Sequence, residues 1–164
     1  MNSKLYTIVP EGIHDQSHVE ALALSAFGPG MYARTAFRLR EHADPVSSLC
    51  FKAESASELI GSVRLTRVKI GNEPALLLGP LVVSPAHKCN GVGAGLMTTA
   101  VNQARAIGEQ MIILVGDLPY YQKFGFEIVP EGQIALPGPV DPDRLLYCNL
   151  SGKGLEAYSG LVTS

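Results

Sequence analysis

The chain lacks several features that would place it in a specialised class of protein. It has no tryptophan and only three cysteines, Cys50, Cys89 and Cys148, which are widely spaced and form no CxxC pair. An odd number of isolated cysteines argues against a disulfide framework and against a cysteine zinc site. The four histidines form no HExxH motif, so the sequence predicts no metal centre.

Neither charge nor hydropathy points to a nucleic acid or a membrane. The formal net charge is −2, which leaves no basic surface for nucleic acid and no polybasic cluster for an anionic membrane. No apolar run approaches the roughly 20 residues needed to cross a bilayer. The first residues contain no apolar core typical of a secretory signal. We therefore expect a cytoplasmic protein.

The chain does contain enough apolar material for one folded unit. Hydrophobic residues make up 46% of its 164 residues and charged residues 17%, as in an ordinary globular protein. This length predicts a single domain over residues 1–164 with a substantial core.

The spacing of apolar residues predicts eleven elements in the order β-α-α-β-β-β-α-β-α-β-β. Strands are expected at 5–9, 49–53, 59–70, 75–83, 111–115, 126–129 and 145–150, and helices at 14–27, 31–42, 91–107 and 119–124. Short turns between the middle strands favour an antiparallel meander. The alternation slips at Thr66-Arg67, which predicts a bulge there. Ser17 and Glu20 are spaced as a capping box, and the Pro- and Gly-rich segment 130–143 is expected to be a loop.

A glycine-rich loop between a strand and a helix is the most informative local feature. The strand ends at Leu81-Val82-Val83, and an amphipathic helix follows the run Lys88-Cys89-Asn90-Gly91-Val92-Gly93-Ala94. Glycines let a ligand approach the backbone closely, and the free N–H groups of a helix N-terminus attract an anion. The loop therefore predicts a site for a phosphate-bearing ligand, with Lys88 as an added positive charge.

Two familiar phosphate loops do not fit this segment. A Walker A loop needs GxxxxGK[ST], and the chain contains no such string. A Rossmann fingerprint needs GxGxxG and an acidic residue on the next strand. Here Gly91, Gly93 and Gly95 form GxGxG, and the next predicted strand, 111–115, has no acidic residue.

Two motifs resemble those of one family. Lys88 to Gly93 reads K-x-x-G-x-G, similar to the Q/R-x-x-G-x-G/A pyrophosphate signature of the GNAT superfamily of acyl-CoA-dependent N-acyltransferases. Tyr121 to Phe126 resembles the family's Y-x-x-x-G-F, and the longer string LVGDLPYYQKFGF is similar to a bacterial subgroup of predicted N-acetyltransferases. The resemblance is specific over 79–126. It implies an α/β (α+β) GNAT-like fold, with a mixed, largely antiparallel sheet flanked by helices.

The resemblance also implies the site. The main chain of Leu81, Val82 and Val83 would pair with the pantetheine arm of acetyl-CoA, the co-substrate. The loop from Lys88 to Ala94 would hold its diphosphate, so Cys89 in that loop is not expected to be a nucleophile. Tyr121 would be the general acid that protonates the departing thiolate. The alternative for Tyr121 is an aromatic core residue with its hydroxyl at the surface.

The sequence departs from the family pattern at two places. Lys88 stands where Arg or Gln is usual, and lysine meets phosphate as a point charge without the planar fork of arginine. Many members have an Asn at the end of the strand after the helix, whereas this chain has Gly116-Asp117. A side-chain contact to pantetheine is therefore expected to be missing or to come from Asp117.

The implied reaction is direct transfer of an acetyl group to a primary amine of a small molecule or peptide. A CoA-binding sensor module without catalysis and an acyltransferase for a longer acyl donor remain alternatives, and the resemblance makes a homodimer possible. The general base stays open between Asp117, His87, a water chain and an amine that arrives neutral. Acceptor specificity would come from residues 27–45 and 130–143. Their charges are expected to be solvated: Arg34, Arg38, Glu41, His42, Glu131, Asp141 and Asp143.

Overall fold

The computed structural model describes residues 5–88 and 90–164. The α-helices of this part are α1 Gln16–Phe27, α2 Thr35–Glu41, α3 Val92–Ala106 and α4 Leu118–Tyr121. The strands are β1 Thr7–Pro10, β2 Phe51–Ser55, β3 Glu58–Ile70, β4 Glu73–Val83, β5 Met111–Val115, β6 Glu127–Ile128, β7 Ile134–Ala135, β8 Leu145–Asn149 and β9 Gly160–Thr163. Among these helices there is none whose length and hydropathy would let it cross a membrane.

The strands form a mixed sheet in the order β1-β2-β3-β4-β5-β8-β6, and β9 pairs with the end of β3 and with β7. From β1 to β4 all neighbours are antiparallel, and short turns join β2, β3 and β4. β4 and β5 are parallel because α3 makes the crossover between them. β8 returns antiparallel to β5. The predicted mixed, largely antiparallel sheet flanked by helices is confirmed.

Apolar side chains cover both faces of the sheet. On one face α3 buries Leu96 and Met97 in a cluster with residues of β2 to β5. On the other face Leu39 of α2 packs with Tyr158 and with side chains of β3, β4 and β5. The two helices therefore lie on opposite faces, as expected for a sheet buried on both sides.

A glycine in β3 lets α3 approach the sheet closely. A Cβ atom at Gly61 would lie 3.0 Å from Cδ1 of Leu96 and 3.1 Å from Cγ1 of Val92. Gly61 also pairs with Val83, the last residue of β4. The first turn of α3 is therefore positioned over the end of β4.

Three local expectations were wrong. The register shift between β3 and β4 lies between Val63 and Leu65 rather than at Thr66-Arg67, because β4 carries the extra residue there: Gly79 and Pro80 both lie opposite Arg64. Ser17 lies inside α1, whose N-cap Asp15 makes no side-chain cap; Asp15 instead accepts from the Gly12 N–H at 2.7 Å. The helix predicted over 31–42 is interrupted, because Arg34 is extended between a 3-10 helix at Pro29–Ala33 and α2.

Two short strands, β7 and β9, were not predicted from the sequence. β7 lies inside the segment predicted as a loop, and β9 follows the last predicted strand. Strands of two and four residues are too short to display a clear alternation of apolar and polar residues. They form because their partners lie elsewhere in the chain: β9 pairs with β3 at Lys69 and Ile70.

The packing of α3 leads to a stability prediction. Leu96→Ala removes a side chain with 0% exposure, and the cavity left behind should lower the free energy of unfolding by about 2–5 kcal/mol. Leu161→Ala on β9 is the control, because Leu161 is 49% exposed and its loss should cost no more than about 0.5 kcal/mol. Urea titration measures both, and equal effects would contradict the assignment of α3 to the core.

Candidate active site

Two adjacent strands separate at the centre of the sheet. β4 and β5 pair only through Leu76 with Ile112 and Leu77 with Ile113. β4 then continues to Val83 without β5 beside it. Residues 78–81 and 114–116 line a cavity of about 530 Å³ between the diverging strands, called here the divergence cavity. Beyond Leu77, this edge of β4 has no strand partner among the described residues, so its N–H and C=O groups are available to a ligand.

The glycine loop ends at the N-terminus of α3. Gly91 is the N-cap, with a left-handed φ of 81° that favours glycine. The first N–H to bond within the helix is that of Gly95, which donates to Gly91 O at 2.9 Å. The N–H groups of Val92, Gly93 and Ala94 precede it and have no acceptor within the helix. Together with the positive end of the helix dipole they form an anion site.

The strand end and the loop line one cleft. A second cavity of about 460 Å³, called here the loop cleft, contains most of the residues that the sequence predicted for the cofactor. These are Leu81, Val82, Val83, Lys88, Gly91, Val92, Gly93 and Ala94. Asn90 is exposed and does not line the cleft, and Cys89 lies outside the described residues. The divergence cavity adjoins the loop cleft, since both are lined by Leu81, Phe27 and Tyr120.

Tyr121 lines the divergence cavity. Its ring contacts Gly116, where any side chain would collide with it, and packs edge-on against Phe126. Burial, helped by the nearby Tyr120 and Asp117, raises the pKa of Tyr121 to about 12. The phenol is therefore protonated at neutral pH and holds its proton more tightly than free tyrosine does.

Tyr120 is placed differently from its neighbour. It lines both cavities, and its hydroxyl would lie 2.6 Å from a Cβ atom at Gly93, so it faces the glycine loop. Burial raises the pKa of Tyr120 as well. Lys123 sits 4.7 Å from the centre of its ring. Its contact with the loop was not predicted from the sequence, because the two residues are far apart in the chain.

The two candidates for the general base lie in different places. Asp117 lines the divergence cavity, but its side chain is 75% exposed and pairs with Arg144 Nε at 3.0 Å. His87 lines the loop cleft, at the phosphate end, and its buried Nδ1 has no hydrogen-bond partner among the described residues. Only Asp117 is therefore near the predicted transfer position.

The charges predicted to be solvated divide into three groups. Arg34 and Asp141 line the divergence cavity, while Arg38, Glu41 and His42 line a separate cavity of about 740 Å³. Glu131 and Asp143 are exposed and line neither. Arg40, which the sequence did not single out, also lines the divergence cavity. Its role depends on a contact with Gly79, 39 positions away, for which no local pattern gives a signal.

A parallel strand pair that opens beside a glycine-rich helix N-terminus forms a cleft suited to an extended ligand that carries phosphate. The chain belongs to the family described as "Acetyltransferase (GNAT) domain", whose sequence model matches residues 47–128, half of the chain. The predicted family is therefore confirmed.

Relatives and solved structures agree with this assignment. The chain is 29% identical over 117 residues to the "Uncharacterized N-acetyltransferase YjhQ" of Escherichia coli K12; the match covers 69% of this chain and 65% of that protein. The fold is similar to that of the Escherichia coli GNAT protein YhbS, solved with CoA, at a TM-score of 0.84 and 21% identity, over 99% of this chain and 91% of that one. A GNAT acetyltransferase from Brucella melitensis, solved with acetyl-CoA, has a TM-score of 0.64 and 25% identity over 88% and 96% of the two chains.

Proposed function

We propose that this protein is an acetyl-CoA-dependent N-acetyltransferase that transfers an acetyl group to a primary amine. The observation that carries the proposal is the continuity of three parts: the anion site at α3, the open edge of β4, and a protonated tyrosine where β4 and β5 diverge. The CoA and acetyl-CoA complexes of the structural neighbours support this choice of co-substrate.

The residues of the loop cleft match the parts of acetyl-CoA, which would supply the acetyl group as a thioester. The N–H groups of Val92, Gly93 and Ala94 bind the diphosphate, and Lys88 adds a positive charge. The open edge of β4 at Leu81–Val83 pairs with the pantetheine arm as an added strand would. A backbone N–H near Val82 or Val83 donates to the thioester carbonyl oxygen, on which negative charge develops.

Tyr121 completes the transfer. When the neutral amine nitrogen bonds to the carbonyl carbon, the carbon–sulfur bond breaks, and the Tyr121 hydroxyl donates its proton to the leaving sulfur. The surplus proton of the new amide nitrogen then returns to the Tyr121 oxygen, which restores the phenol. The amine must first lose a proton of its own. Since Asp117 is exposed and paired with Arg144, we assign this step to a water chain, or to an amine that arrives neutral, rather than to a carboxylate base.

Titration calorimetry with acetyl-CoA, CoA and ATP tests the proposal, followed by turnover measured as thiol release with an amine panel. We expect micromolar or tighter binding of both CoA species and no binding of ATP. Binding without turnover would favour the non-catalytic sensor module. If longer acyl-CoA donors react faster than acetyl-CoA, the protein is an acyltransferase for a longer acyl group. If neither CoA species binds, the proposal is wrong.

Gly93→Glu should abolish acetyl-CoA binding. The new carboxylate would stand among the free N–H groups at the start of α3, where like charges repel the diphosphate by several kcal/mol, so we expect affinity to fall roughly a hundredfold or more. The matched control is Gly152→Glu, which adds the same charge where a Cβ atom meets nothing within 4 Å. Calorimetry on both variants checks the expectation. If a folded Gly93→Glu protein binds acetyl-CoA with unchanged affinity, this loop is not the diphosphate site.

Tyr121→Phe should lower turnover by about a hundredfold, the usual lower range for loss of a general acid. Acetyl-CoA affinity should stay nearly constant because only a transition-state interaction is lost. Tyr120→Phe is the matched control: its hydroxyl faces Gly93, so its loss should affect cofactor affinity more than turnover. Steady-state kinetics with one acceptor separates the two. Wild-type turnover in Tyr121→Phe, with loss in Tyr120→Phe, would transfer the acid role to Tyr120.

A further inference from the structure

The wall of the divergence cavity that faces β4 carries two arginines. Arg34 immediately precedes α2, and Arg40 lies in its last turn. The guanidinium of Arg40 rests directly on the backbone of β4, since a Cβ atom at Gly79 would be only 2.6 Å from Nη1. Gly79 has a φ of 131°, a value that L side chains rarely adopt. Arg40 therefore reaches into the cavity at the point where β4 leaves β5.

Arg40 has no partner for its charge among residues 5–88 and 90–164. Its side chain forms no ion pair and no hydrogen bond there, although the residue is partly buried. Burial, followed by the positive charges of Arg34 and Arg64, lowers the pKa of Arg40 to about 10. The guanidinium is still charged at neutral pH. Its N–H donors therefore have no acceptor within hydrogen-bond distance among the described residues.

Other arginines of the protein are placed differently. Arg64 is paired with Glu11, Arg67 with Glu109, and Arg144 with Asp117. Arg34 is exposed, and its guanidinium lies over the ring of Phe27 at 5.5 Å. A partly buried cation without a partner is costly to the fold. The cost is offset when a ligand brings the missing anion.

The divergence cavity also has two acidic residues, Asp117 and Asp141. Asp117 follows β5 and is held by Arg144. Asp141 belongs to the segment before β8, where its side chain accepts from the Asp143 N–H at 2.9 Å. Asp117 is neutralised by Arg144, whereas no cation of the described residues pairs with Asp141. The cavity therefore offers Arg40 to an anionic group and the Asp141 carboxylate to a cationic one, which suits a molecule that carries both.

We infer that the acceptor amine carries a carboxylate or phosphate group, which pairs with Arg40 and Arg34 while its amino group points towards Tyr121. The inference rests on the proposed N-acetyltransferase function and narrows its substrate class to anionic amines. Bidentate hydrogen bonding between guanidinium and carboxylate or phosphate supplies the specificity. An uncharged or purely cationic amine would leave Arg40 desolvated and unpaired, which disfavours its binding.

Matched pairs of amines test this assignment. The panel contains the twenty L-α-amino acids with their primary amides, β-alanine with β-alaninamide, and O-phosphoethanolamine with ethanolamine. Thiol release at fixed acetyl-CoA measures turnover, and the thermal shift of the CoA-saturated protein measures binding independently of turnover. Comparison of the carboxylate-bearing amines with O-phosphoethanolamine shows which anionic group the site recognises. We expect the anionic member of at least one pair to bind and react, and its neutral twin to do so at least about tenfold less well.

Arg40→Met and Arg40→Lys are the diagnostic variants. Arg40→Met should raise the acceptor KM roughly tenfold or more, as expected for loss of a charged hydrogen bond, and should remove the discrimination between the twins. Arg40→Lys should restore part of it. Since the unpaired charge is removed, Arg40→Met should melt no lower than the wild type, whereas an arginine with a purely structural role would leave a less stable protein. Arg38→Met, on the same helix but outside this cavity, should keep the wild-type preference.

Three results would overturn the assignment. They are equal use of anionic and neutral twins, a preference that survives in Arg40→Met, and a panel in which no anionic amine binds or reacts. Acetyl-CoA titration of the wild type and Arg40→Met separates this failure from that of the proposed function. Retained acetyl-CoA binding together with turnover of an uncharged or cationic amine rejects only the anionic acceptor. Acetyl-CoA binding without turnover of any amine, or loss of acetyl-CoA binding in the wild type, rejects the N-acetyltransferase itself.

Discussion

The site depends on an interruption in the hydrogen bonding between β4 and β5. Their parallel ladder ends at Leu77 and Ile113, and β4 continues through Gly79 and Pro80, of which Pro80 has no N–H to donate. Arg40 of α2 rests against Gly79 at the same point. A continuous ladder would have left no cavity and no free edge on β4. The break therefore creates both the space for a substrate and the backbone groups that can hold an extended cofactor arm.

The position of α3 then brings the anion site to the end of that free edge. Gly61 lets Leu96 pack onto β3 beside the last residue of β4, and Tyr6 donates to the carbonyl of Gly91 at 3.0 Å. At Gly95 a Cβ atom would be 2.8 Å from Cδ1 of Ile8. The glycines near the loop therefore serve two purposes: some keep the backbone open to a ligand, and others allow the helix to approach the strands closely enough to align the site.

The sequence predicted what is encoded locally. The helix predicted from apolar spacing agrees with α3 to within one residue at each end, and the predicted strand 111–115 has the same bounds as β5. The glycine loop and Tyr121, both identified from sequence motifs, line adjoining cavities. Features that need a distant partner were missed. β9 forms because Lys69 and Ile70 of β3 offer an edge. The bulge opposite Arg64 arises from an extra residue of β4 at Gly79-Pro80, and Arg40 of α2 reaches the site by lying against Gly79. None of these partners is visible within a window of one helix or strand.

The charged side chains that line the divergence cavity are not the groups to which the proposed function assigns the acetyl transfer. The backbone N–H groups of β4 and the phenol of Tyr121 are neutral at pH 7, so they would act alike on any amine that reaches them. Among the described residues, the charged side chains that line this cavity are Arg34, Arg40, Asp117, Asp141 and Arg144. Arg144 and Asp117 satisfy each other. Under the proposed function, selection between acceptors by charge would therefore come mainly from Arg40, which is half-buried while the other four charged residues are exposed.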